Sequence, residues 1–221
     1  MTSFSTPRDY RTLIAAASLT VGPLLMTIGD LLHPEERMAP AEQIAILVDH
    51  APHWYTAHLL LFVGIVLFIP GFLAISALTS VRKPAAGYAA RILVLMGTAA
   101  LASIFVGEML VGRFVLDGAD PSVATDLLES MFSGPLFAAV GPALLAFFVG
   151  AAVFAIPLMR AGGMVGWAAG LILLGTLLIL GEILSAQVIL SQLGNILSLC
   201  GSATFAWLIL KGATDETREM R

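Results

Sequence analysis

The sequence predicts an all-α fold: a polytopic transmembrane bundle of six helices arranged as three hairpins, with the N- and C-termini cytoplasmic. Composition is the first reason. Of 221 residues 58% are hydrophobic and 12% charged, whereas soluble domains carry about a quarter charged residues. Mean hydropathy is +0.94. The second reason is spacing: apolar stretches cover approximately 13–32, 55–79, 88–116, 135–159, 164–184 and 189–210, and a helix of about 20 apolar residues crosses a hydrocarbon core of about 30 Å. The third is the placement of charge. With both termini on one side, that side holds nine of the eleven basic residues, and only Arg37 and Arg113 lie opposite. The opposite side has eleven acidic residues against those two, a formal −9, which by the positive-inside rule makes it the outer face.

Taken in order, the first stretch follows Arg8 and Arg11 and reaches Leu32 with no small-residue cleavage pattern behind it, so it reads as a retained span rather than a signal. The next segment, Pro40 to Asp49, reads as a short helix on the membrane surface, with Glu42 and Gln43 at its start. Span two follows. Lys83-Pro84 is a tight inner connection to a third span longer than one crossing requires, which implies tilt or projection beyond the bilayer. Asp120-Pro121 is an N-cap and N1 pair opening a short outer helix through Met131, and Gly134-Pro135 breaks the chain before span four. Arg160 to Gly163 turns the chain back. Spans five and six are divided at Ser185, Ala186 and Gln187, with Gln192 to Asn195 as the alternative turn; residues 164–210 as one helix would run about 70 Å.

The whole of 1–221 is thus a single membrane domain, with no stretch left for a separate soluble one. Pro70, Pro142 and Pro157 predict kinks. Trp54, Tyr55 and Trp167 stand near span ends as interfacial aromatics do. Gly166 and Gly170 make a small-residue ridge for a close neighbour within the chain, with a homo-oligomer contact as the alternative. Cys200 is alone, so no intrachain disulfide forms.

One phrase recurs. Gly29-Asp30-Leu31-Leu32, Gly107-Glu108-Met109-Leu110 and Gly181-Glu182-Ile183-Leu184 close the first helix of each hairpin, 78 and 74 residues apart, which suggests an internal hairpin repeat. Each carboxylate stands near a helix C-terminus, where the dipole disfavours an anion, so capping does not account for it. A cation, a proton or a hydrogen-bond donor from another helix must offset it. The outer-side partners are Arg113, Arg37 and four histidines, His33, His50, His53 and His58. The candidate polar cluster is therefore Asp30, His33, His58, Glu108, Arg113 and Glu182. Asp30 and His33 are three apart, on one helix face, which follows the logic of carboxylate-bridged metal bundles. A divalent metal held by Asp30, His33, His58, Glu108 and Glu182 is one reading, and oxygen with imidazole suits zinc, manganese or iron.

Other chemistry is not written in the chain. It has no Gly-x-x-x-x-Gly-Lys, no Gly-x-Ser-x-Gly and no His-Glu-x-x-His. Its inner loops are too short for a nucleotide, and its basic residues are scattered rather than patched, which argues against nucleic acid. The histidines gather at one edge, whereas a membrane haem needs them facing at depth. Three function classes remain: a structural or binding membrane protein, a metal-dependent enzyme at the outer face, and a proton- or cation-coupled transporter. The last is disfavoured, because the inner halves of the spans offer few polar side chains beyond Ser76, Thr79 and Ser103.

The closing Trp207-Leu208-Ile209-Leu210-Lys211-Gly212, with the length and six-span layout, resembles a group of bacterial integral membrane proteins of unknown function. The resemblance implies a multi-pass protein of the bacterial inner (plasma) membrane in contact with the lipid bilayer. It implies no activity and no site residues.

Overall fold

Proline sets where most of the helices begin. Its ring fixes φ near the helical value and it lacks an N–H, so it suits the first helical position, whose donor has no intrahelical partner. Four helices open this way in the computed structural model, which describes residues 10–35, 37 and 39–212. Among the described residues there are seven: α1 Tyr10–Leu32, α2 Pro40–Arg82, α3 Pro84–Leu116, α4 Pro121–Ser133, α5 Pro135–Met159, α6 Gly163–Ser185 and α7 Val188–Lys211. Six are long and apolar enough to cross a membrane, α4 being the exception. The charges at Arg8, Asp9, Asp215, Glu216, Arg218, Glu219 and Arg221 lie outside the described residues.

The spans pack in chain order, α1 on α2, α2 on α3, α3 on α5, α5 on α6 and α6 on α7, and α7 returns to α1. The result is a closed ring of six built from three hairpins. Its centre is filled by Phe68, Phe72, Phe147, Phe154, Ile172 and Phe205, all buried. Its rim is apolar too: Leu145, Val149, Leu174 and Leu177 are exposed in mid-span, an outer surface suited to lipid rather than water.

Lipid tails are as apolar as leucine, so helices in a membrane associate through close packing and polar bonds rather than by hiding from water. Close packing here runs through glycines facing glycines. A Cβ on Gly22 of α1 would lie 2.8 Å from Gly64 O of α2, and one on Gly64 would lie 2.8 Å from Gly22 O. Gly175 of α6 and Gly194 of α7 repeat this reciprocal contact. Gly166 and Gly170, expected to face a close neighbour within the chain, face the end of α5: a Cβ on Gly166 would lie 2.9 Å from Met159 O.

A polar bridge sits beside a proline. Pro70 denies Val66 O its helical donor, and at the next rung Ser18 of α1 joins the two backbone groups: its Oγ donates to Leu67 O and accepts from Gly71 N–H at 2.8 Å. Backbone groups in hydrocarbon have no water to turn to, so such a bridge from a neighbouring helix satisfies both beside the proline.

The α4 end of the ring differs from the expected surface helix. Residues 40–49 continue into span two as one helix of 43 residues, bent at His50 (φ −125°, ψ 19°). Pro52 causes the bend, because it denies Val48 O its helical donor and its ring crowds that carbonyl. Ile44, Leu47, Ala51 and Trp54 bury against Val111 of α3 and Ala124 and Leu128 of α4. This small second core covers the α4 end of the ring. Asp120 caps α4, accepting from Ser122 N at 2.8 Å and Ser122 Oγ at 2.7 Å, and these bonds hold its carboxyl below the usual carboxylate range. At the other division the chain turns at Ala186 (φ 51°), and Gln192 to Asn195 lie inside α7.

Two outcomes test this packing. Gly175→Val should destabilise the detergent-solubilised protein by about 1–3 kcal/mol, while Gly141→Ala should be tolerated, its nearest side-chain atom being 3.5 Å away; thermal unfolding of the pair reads the difference. Ser18→Ala strands Leu67 O and Gly71 N–H together, and a loss of about 1–2 kcal/mol is expected in the same assay.

Candidate functional site

His58 is the hub of polar contacts at the α4 end of the ring. It lies eight residues after the His50 bend, one helical turn beyond Trp54, and is 2% exposed. Its Nδ1 faces Trp54 O at 2.8 Å. Its Nε2 stands 2.9 Å from Glu108 Oε2 of α3 and 3.3 Å from His33 Nε2, just beyond α1. His33 is held on its far side by Pro34 O, 2.8 Å from Nδ1, and its backbone N–H extends the end of α1 by bonding Asp30 O at 3.2 Å. Three elements thus meet at one imidazole.

Trp54 encloses the cluster. Its Nε1–H donates to Glu108 O at 2.8 Å, and its ring centre lies 4.8 Å from that of His33 and 4.5 Å from that of His58. Gly112, one turn after Glu108, leaves room for it: a Cβ there would fall 2.8 Å from Trp54 Cδ1. Phe105, three residues before Glu108, closes the inner side with its ring centre 6.2 Å from that of His58. Sequence reasoning assigned Trp54 to the lipid interface, but the residue is 2% exposed. The i, i+4 spacing of Trp54 and His58 was the available signal, since residues four apart share a helix face.

One assignment of donors and acceptors satisfies these contacts. A ring nitrogen facing a carbonyl oxygen must carry hydrogen, so both Nδ1 atoms are donors. The two Nε2 atoms and Glu108 Oε2 then face one another. A single proton on His58 Nε2 satisfies both contacts, donating to the carboxylate and to His33, and makes the group neutral.

Two of the other sequence-predicted residues, Arg113 and Glu182, take separate places. Arg113 does not join the cluster: it pairs with Asp117 one turn on, Nη2 to Oδ1 at 2.7 Å, with its side chain 61% exposed. Glu182 is buried on α6, which α5 separates from α3 in the ring, so it is not brought to Glu108. Asp30 stands partly buried in the last turn of α1. His50 and His53, with ring centres 6.3 Å apart, line an open cleft of about 590 Å³ with Glu35 and Asp49. The five-ligand set Asp30, His33, His58, Glu108 and Glu182 is therefore not assembled. Among the described residues no three of His, Cys, Asp and Glu are arranged to hold a metal ion. The three that do meet are spaced as hydrogen-bond partners, with His58 Nε2 common to both contacts.

Comparison with family models, with curated proteins and with solved structures gives no match. What can be said of function therefore rests on this chain alone.

Gly112→Val should push the Trp54 ring out of its enclosure. A red shift of tryptophan emission is expected, and the same substitution made with Trp54→Phe should leave the emission of Trp167 and Trp207 where it was.

Proposed function

We propose that this chain is a multi-pass protein of the bacterial inner membrane, both termini cytoplasmic, in which His33, His58 and Glu108 form a polar clasp that fixes the outer ends of the first three spans. The role is structural and binding: one held proton joins two histidines and a carboxylate that belong to three different elements. The observation that carries this is the pair of contacts at His58 Nε2, 2.9 Å to Glu108 and 3.3 Å to His33, with both outer ring nitrogens committed to backbone carbonyls. The charge distribution supports the orientation, and the apolar rim supports the membrane.

A proton pathway has less support. Below the clasp the ring is filled by Phe68, Phe72, Phe147 and Phe154, and a relay needs polar groups or water in their place. An enzyme would need an open position beside the reactive groups, whereas Trp54 and Phe105 cover this one.

A double-mutant cycle tests the clasp. His58→Leu leaves Glu108 as an uncompensated, nearly buried charge, and Glu108→Leu strands the charge on His58, so each single change should cost about 3 kcal/mol or more. The double change removes both groups and should cost less than the sum of the two. Thermal unfolding in detergent reads all four proteins, and elemental analysis of the unaltered chain should find no stoichiometric metal. Additive losses would overturn the clasp. Stoichiometric metal that disappears in His58→Leu would replace it with the metal reading.

A further inference from the structure

The opposite end of the ring carries a cationic cavity. The α2–α3 junction supplies Arg82 and Lys83, the first turn of α3 supplies Pro84, Ala85 and Ala86, and the end of α5 supplies Pro157 and Arg160. The ring order brings these together, because α3 packs against both α2 and α5. The cavity is about 580 Å³, and its lining holds three cations and no acid. Nor does Arg82, Lys83 or Arg160 form an ion pair with any acid among the described residues. Three like charges around one hollow, none paired with an acid among the described residues, repel one another, and an anion within it would relieve all three.

From this cavity we infer a binding site for the phosphate headgroup of an anionic phospholipid. A small free anion would engage only the charges. Here the charges stand above apolar surface: Tyr88 and Ile92 follow Pro84 at four-residue intervals along one face of α3, and Ile156 stands one turn before Arg160 on α5, all three exposed. A lipid fits both parts, its phosphate among Arg82, Lys83 and Arg160 and its acyl chains along those helix faces. Basic hollows between spans recognise lipid headgroups by this division of labour. The inference rests on the proposed membrane reading, although not on the direction in which the chain is inserted.

The test uses the full chain in nanodiscs of phosphatidylcholine, alone or with a fraction of phosphatidylglycerol. Phosphatidylglycerol should raise the unfolding temperature, and native mass spectrometry should show it retained on the protein. The triple variant Arg82→Gln, Lys83→Gln, Arg160→Gln should bind it on the order of tenfold more weakly or worse, with its stability in pure phosphatidylcholine unchanged, which shows that it folds. Arg91→Gln with Lys211→Gln, two cations at the same end outside the cavity, should keep the effect. No response to phosphatidylglycerol, equal loss in both variants, or a response retained in the triple variant would overturn the site. Inorganic phosphate reproducing the stabilisation in detergent, without lipid, would make the ligand a free phosphate instead. Thiol labelling of a cysteine placed at Ala85 in intact cells reports orientation separately, so a failure of the proposed topology is distinguishable from a failure of lipid binding.

Discussion

Helices in hydrocarbon gain nothing by hiding from a solvent as apolar as themselves, and what holds this ring together must therefore be contact quality and polar bonds. The glycine pairs supply the first. Gly22 with Gly64 and Gly175 with Gly194 bring backbones together in the first and third hairpins, where dispersion contacts are densest. The phenylalanines then have a narrow interior to fill, and Phe68, Phe72, Phe147, Phe154 and Phe205 fill it. Exposed leucines and valines are left on the rim because nothing within the chain requires them.

Polar groups enter this frame only where they answer a specific deficit. Ser18 joins Leu67 O and Gly71 N–H beside Pro70, and Thr79 Oγ1, at 3.3 Å from both Ile75 O and Phe154 O, ties α2 to α5 near the other end. His58 and Glu108 answer one another. The two ends of the ring also contrast: at one, acid and imidazole neutralise each other within hydrogen-bond distance, and at the other Arg82, Lys83 and Arg160 ring a hollow with no acid in it.

Much of the architecture was legible because it depends on properties read along the chain. Span length, loop brevity, proline at helix starts and the Asp120 cap are local, and hairpins follow from short connections. The site was legible only in part. Glu108, His33 and His58 were named from depth and sidedness, but depth does not say which helices are neighbours, so Glu182 was grouped with Glu108 on equal terms. The ring order separates α6 from α3. Arg113 was assigned to the cluster although Asp117, four residues away, was the nearer partner by sequence alone. Gly166, read as part of a small-residue ridge, does meet a neighbour within the chain closely, the end of α5, but which neighbour was not legible from the motif. Ser18 was invisible, because its partners, Leu67 and Gly71, lie on another helix.

The bend at His50 has a mechanical meaning. Residues 40–49 and the second span are one rod bent at His50, and the bend lies within the second core, between Leu47 and Ala51. Gln43, Ile44 and Leu47 are gripped on one side of it, Trp54 and His58 on the other. Three residues lie between the bend and the indole. One core therefore grips both arms of the bend, and its inner member, Trp54, is also the wall that encloses two histidines and a carboxylate.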